Sequence, residues 1–168
     1  MSEHKSIQLG LVCLNTVLRT QNPPIFASRR MIIRTIREKG IFALKQKILL
    51  NLDDLLKMIE WNEQNGIKVF RLSSEVFPHK SNPKVVDYSF DFAIDKLKAI
   101  GRLANKYGQR ITMHPGQFNC IASPNENTFK NTTSDLYYQA TLLDLLETGD
   151  NSVMVIHGGG LYGDKETT

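Results

Sequence analysis

The sequence predicts an α/β fold of repeated β/α units with parallel strands, about the first four of the eight units that would close a barrel, in one domain over residues 1–168. Two observations carry this. Four short apolar runs alternate with stretches of helical periodicity, and near-continuous apolar strands signal a parallel sheet covered by helices. The links are also asymmetric. Each helix-to-strand link is short and marked by glycine (Gly66, Gly108, Gly149), whereas each strand-to-helix link is long and holds the unusual polar residues. In barrels and open α/β sheets alike, ligands bind at the strand C-terminal ends.

The first strand is expected over residues 7–13, followed by Asn15 and a polar stretch through Pro23 and Pro24. From Ser28 the pattern turns helical: Met31, Ile32 and Ile36 recur at 3–4 spacing, Gly40 interrupts, and Leu44, Ile48, Leu52, Leu55, Leu56 and Ile59 continue to Trp61. Gly66 closes that region and a second strand follows over 67–72. Phe92, Leu97, Ile100, Leu103 and Ala104 mark the next helix, ended by Gly108. A third strand, 110–113, runs into His-Pro-Gly-Gln and a loop to about Asn131. Thr133 or Ser134 is the expected cap of the last helix, with Leu136, Ala140, Leu143 and Leu146 as its stripe. The fourth strand is expected over 153–156. A full eight-unit barrel takes about 250 residues, so four units read as half a barrel whose edge strands need covering, by a C-terminal half-barrel chain or a homo-oligomeric partner.

Composition narrows the class. With 41% apolar residues the chain can bury a core. It shows no signal-peptide pattern and no run of about 18 apolar residues, which points to a soluble, intracellular protein with no membrane partner. Cys13 and Cys120 lack CxxC spacing and read as buried thiols. The 21 Lys+Arg against 17 Asp+Glu leave a formal charge of +4, which permits phosphate contact without demanding it. Arg19, Arg29, Arg30, Arg34, Arg37 and Lys39 form the one basic concentration, readable as a nucleic-acid patch or as a solvated helix face.

Chemistry concentrates at the strand ends. In ITMHPGQF, His114 follows an apolar strand and Pro115-Gly116 turns the backbone away; VMVIHGGG repeats the arrangement with His157 one unit later. Neighbouring strands lie about 4.8 Å apart, close enough for two imidazoles to share an ion at about 2.1 Å per bond. Two independently hydrogen-bonded histidines are the plainer alternative. A metal there would polarise a phosphoryl oxygen and lower the pKa of bound water, but two ligands are too few. Glu75 is the nearest carboxylate, and a loop carboxylate is more often solvated. Arg71, Ser73 and Ser74 can present a guanidinium and hydroxyls to a phosphate, with Arg71 equally readable as an ion-pair partner. His79, alone in its loop, reads more readily as a surface residue than as a ligand. Gln117 and Phe118 have the chemistry to wedge into a base stack, although core packing is the default for a phenylalanine.

The segments LGLVCLNTVLR (9–19), NLDDLLKMIEWNEQNGIKVFRLSSEVFP (51–78), MHPGQF (113–118) and HGGGLYGDK (157–165), in this order and spacing, resemble the UV damage endonucleases of the UVDE type. That resemblance implies a TIM barrel that nicks double-stranded DNA 5′ of ultraviolet photoproducts with divalent ions, typically Mn2+, with Mg2+ and Zn2+ as alternatives. Carried over by position, His114 and His157 match metal ligands, Gln117 and Phe118 match the pair that probes the lesion, and Asn15 matches a residue facing it. Tyr162 and Lys165 match the pattern HxGGxYGxK without an assigned role.

Some positions depart from the family pattern. Phe118 stands where tyrosine is frequent, keeping the stacking face. Leu11 stands where an aromatic lesion contact can occur. A histidine expected in the second-strand loop falls at Asn82, with His79 three residues earlier as a substitute. The ligands of the later strands lie beyond Thr168. Two further readings remain open: a damage-binding remnant without cleavage, and a sugar-isomerase-like metal enzyme of the same superfamily.

Overall fold

A computed structural model describes residues 7–163 and Glu166. Four parallel strands, β1 (Leu9–Val12), β2 (Ile67–Arg71), β3 (Arg110–Met113) and β4 (Val153–Met154), lie side by side in chain order. Helices α1 (Thr16–Arg19), α2 (Ile33–Gln64), α3 (Ile94–Lys106) and α4 (Glu126–Leu146) connect them. Among the described residues no helix is long and apolar enough to cross a membrane.

The core lies between one face of the sheet and the helices. Phe70, Leu72, Ile111 and Met113 alternate toward the helical layer and are buried. They meet the α2 stripe Leu44, Ile48, Leu52, Leu55 and Ile59, the α3 residues Leu97, Ile100 and Ala104, and Leu142 and Leu146 of α4. Helices α3 and α4 of this layer touch closely at Gly101, where a Cβ would fall 1.5 Å from the Leu146 carbonyl oxygen. At the strand N-terminal end, buried Gln109 donates to the Ile59 carbonyl at 2.7 Å and accepts from Asn62, joining α2 to the start of β3. The opposite face carries a row in register, Val12, Arg71, Thr112 and Val153, and both valines are exposed.

Several boundaries move from the sequence expectation. β1 ends at Val12 because Cys13 adopts a left-handed φ of 58°, although its N–H still reaches the Arg71 carbonyl. Residues 28–32 lie outside the helix, with Ile32 extended at its start. Asn51 brackets Arg29 through both its backbone groups, and Asp54 accepts from the Phe26 N–H and the Arg29 guanidinium. Two polar residues of α2 thus pin this segment. Gly40, at φ 80° and ψ 167°, kinks α2 where the periodicity broke. The largest shift is α4, which starts at Glu126 with Asn125 as its cap, accepting from the Thr128 N–H at 3.0 Å. Thr133, expected as a cap, sits inside the helix and bonds back to the Phe129 carbonyl. In β4 the paired residues are Val153 and Met154, extended by the Val155 N–H to the Met113 carbonyl.

Candidate metal centre

β3 and β4 deliver His114 and His157 to the same end of the sheet. Met113 pairs with Met154, and His114 directly follows β3 while His157 comes three residues after β4, so both imidazoles lie on the strand C-terminal side. Their ring centroids are 4.7 Å apart at an interplanar angle of 62°. With metal–nitrogen bonds of about 2.1 Å, rings this close could hold one divalent ion between them. His157 Nε2 is buried and has no hydrogen-bond partner, as expected of a nitrogen kept for a ligand. His114 has its pKa lowered by burial first, then by the positive charge of Arg71 and by His157; the neutral form is the one that ligates. Among the described residues no group of three or more His, Cys, Asp or Glu side chains forms a metal cage. The donors fit two positions of a divalent-ion site and leave the others to be supplied.

Arg71 stands on the open face of β2, between Val12 and Thr112 in register, and its Nε is another buried atom without a partner. Asn15 is buried and its Oδ1 caps α1 by accepting from Leu18 N at 2.9 Å, while its Nδ2 is unpartnered. The strand C-terminal end thus collects three unpaired buried nitrogens, on Asn15, Arg71 and His157. Ser73 is buried, its hydroxyl accepting from the Glu75 N–H. Ser74 is exposed, with its carbonyl accepting from Tyr138.

The Pro-Gly turn after His114 lifts Gln117 and Phe118 into solvent; Phe118 is 84% exposed, so the core-packing alternative does not apply. The glycines after His157 have separate surroundings. A Cβ added at Gly158 would meet open space, while one added at Gly159, at φ 136°, would fall 3.6 Å from Cys120 Sγ and Ala122 Cβ of the neighbouring loop. Tyr162 reaches the same cysteine. Lys165 falls outside the described residues.

Other sequence readings resolve differently. His79 bonds the Met31 carbonyl at 2.7 Å, which turns its ring toward the segment before α2. Asn82 lines an open polar cleft with Ser81, Asn119, Asn131 and Asp135. Leu11 pairs with Phe70 and packs against the core, so this position looks into the helical layer. Glu75 pairs with Arg30 at 3.2 Å. The basic concentration is largely committed: Arg29 to Asp54 at 2.6 Å, Arg34 to Glu38 at 2.9 Å, and Arg19 over the Phe26 ring. Neither cysteine is fully buried.

The family model of the UV-endonuclease UvdE matches residues 7–168. The chain belongs to the UvdE family. A protein of Acanthamoeba polyphaga mimivirus described as a UV-damage endonuclease is 45% identical over 166 residues, covering 96% of this chain and 50% of its own length. The UV-damage endonuclease of Schizosaccharomyces pombe is 41% identical, covering 95% of this chain and 27% of its own length. The crystal structure of SacUVDE superposes with a TM-score of 0.82 at 28% identity, over 96% of this chain and 52% of that one. The chain therefore spans about half of the mimivirus protein and of SacUVDE and about a quarter of the Schizosaccharomyces pombe protein, and its four parallel strands with their helices form part of a TIM-barrel-like fold.

Proposed function

We propose that these residues form the N-terminal half of a (β/α)8 barrel that nicks double-stranded DNA beside ultraviolet photoproducts, with His114 and His157 providing two ligands to divalent metal. The observation that carries this is the convergence of the two imidazoles at 4.7 Å on the mouth that also presents the exposed Gln117–Phe118 tip. The ion we propose is Mn2+, with Mg2+ and Zn2+ as alternatives. A bound ion would polarise a phosphoryl oxygen and activate water as the nucleophile. The chain's own groups position the substrate. Arg71 offers an unspent guanidinium N–H beside His114 for a backbone phosphate, Asn15 Nδ2 offers a donor on the β1 side, and Phe118 and Gln117 fill the space left by a distorted base pair.

The remaining ligands come from the part of the barrel that the matched relatives have beyond this region, on the same polypeptide, on a separate C-terminal half or on an oligomeric partner. That half also covers Val12, Val153 and the open strand edges. A substrate of this kind places the protein inside the cell. The test is nicking of irradiated against unirradiated supercoiled plasmid, with Mn2+ and with chelator, by this chain alone and joined to a polypeptide matching the relatives' other half. The completed barrel should nick irradiated plasmid selectively, and His114→Ala or His157→Ala should abolish it. Equal nicking of both plasmids contradicts the reading.

One observation favours a second reading for the chain by itself: among the described residues no third metal-ligating side chain joins the histidines. By itself the chain then binds damage without cleaving it, and its binding to irradiated duplex survives chelation.

A further inference from the structure

The loop after β3 carries the exposed tip on tethered flanks. The turn is closed by the Asn119 N–H donating to the Gly116 carbonyl at 2.9 Å. Asn119 Nδ2 donates to Asp135 at 2.7 Å, and the Cys120 N–H donates to Thr132 Oγ1 at 3.0 Å. Both tethers lead to α4. From the other side comes the loop after β4: Tyr162 Oη lies 2.6 Å from Cys120 Sγ, and Gly159 of the same loop passes near enough that an added Cβ would fall 3.6 Å from that sulfur. This second loop begins at His157. The tip and the histidine pair are therefore joined by a short path through Cys120 and Tyr162, which are distant in sequence.

We propose that the Cys120–Tyr162 contact is a positioning clasp that fixes the Gln117–Phe118 tip relative to His114 and His157, and through it sets how well the protein discriminates damaged from intact duplex. The substrate-class part rests on the function proposed above. The physical reason is preorganisation. A tip already held in its inserting geometry gives up little freedom on entering a damaged site, whereas a loose tip must be ordered at that moment. Intact duplex, which the tip does not enter, gains nothing from the clasp. The contact gives Tyr162 of the HxGGxYGxK pattern a use.

Three variants of the 168-residue chain test it. Tyr162→Phe removes only the hydroxyl, Cys120→Ala removes the thiol, and Cys120→Ser keeps a group that both donates and accepts. Backbone 15N order parameters at residues 116–120 should stand near the rigid value of about 0.85 in the parent chain and in Cys120→Ser. In Tyr162→Phe and Cys120→Ala they should drop toward the flexible range, with the melting temperature nearly unchanged. In parallel, the ratio of affinities for irradiated and unirradiated duplex should fall about tenfold in those two variants and recover in Cys120→Ser. Unchanged order parameters in Tyr162→Phe overturn the clasp, and so does a Cys120→Ser variant as loose as Cys120→Ala. If the parent chain shows no preference for irradiated duplex, the functional reading fails while the order parameters still decide the clasp.

Discussion

Replacing Gly101 with alanine tests the packing that carries His157. An added Cβ would sit 1.5 Å from the Leu146 carbonyl oxygen and 2.6 Å from its carbon, where ordinary contact begins at 3.4 Å. The obstacle is backbone at the end of α4, so no rotamer change relieves it, and the last turn must retreat by about 2 Å in this crowded interior. Overpacking of this kind costs about 3 kcal/mol at the upper end of its usual range, offset by roughly 1 kcal/mol because alanine favours helix over glycine. The net loss of about 2 kcal/mol corresponds to a fall in melting temperature of about 4–8 °C for a chain of this size. From Leu146 the chain passes through Glu147, a residue at φ 55°, and the turn Gly149–Asn151 into β4, so the displacement also reaches His157. Circular dichroism melting of Gly101→Ala beside Gly116→Ala, whose added methyl meets nothing within 4 Å, measures it; the control should stay within about 0.5 kcal/mol. A Gly101→Ala protein as stable as its parent would refute the close approach of α3 and α4.

Asp54→Asn should destabilise the chain by about 2 kcal/mol at neutral pH, as expected for losing hydrogen bonds to a charged group. Burial alone would raise the Asp54 pKa, but bonds from Lys57, Arg29 and the Phe26 N–H outweigh it and hold the carboxyl below its ordinary value of 3.8. Its contribution is therefore full above that value and is lost as pH falls through the lowered folded pKa, so urea unfolding at pH 7 and pH 3 should show the gap between variant and parent narrowing in acid. Phe118→Ala should leave the melting temperature unchanged, because the ring is exposed, while weakening binding to irradiated duplex by roughly 5- to 150-fold, the worth of about 1–3 kcal/mol of base stacking; electrophoretic mobility shift reads it. Gln109→Leu should cost about 2–3 kcal/mol in the same melts, since it strips the Ile59 carbonyl and Asn62 of their buried partner.

Much of the fold was readable because its signals are local. The Gly66 and Gly108 breaks, the Gly40 interruption and the apolar run at 110–113 each depend on neighbours in sequence, and β3 falls at its expected residues. The start of α4 was not readable from periodicity because its first turns, ENTFKNTT, are largely exposed and carry no apolar stripe. The signal present was a cap asparagine followed by Glu126, which suits a helix N-terminus. The non-helical segment before α2 escaped for a different reason: Asn51 and Asp54 hold it from more than 20 residues away. At the site, strand-end position was enough to single out His114 and His157. The engagement of Cys120 with Tyr162, of Arg30 with Glu75, and of Arg29 with Asp54 are long-range pairings that spacing does not encode.

His114 and His157 are proposed to hold a divalent ion together. Titrating Mn2+ into 15N-labelled protein and mapping paramagnetic broadening tests it most directly. Broadening should centre on residues 113–116 and 156–159 and disappear in the His114→Ala, His157→Ala double variant. Broadening centred on surface carboxylates, or unchanged in that double variant, would contradict it.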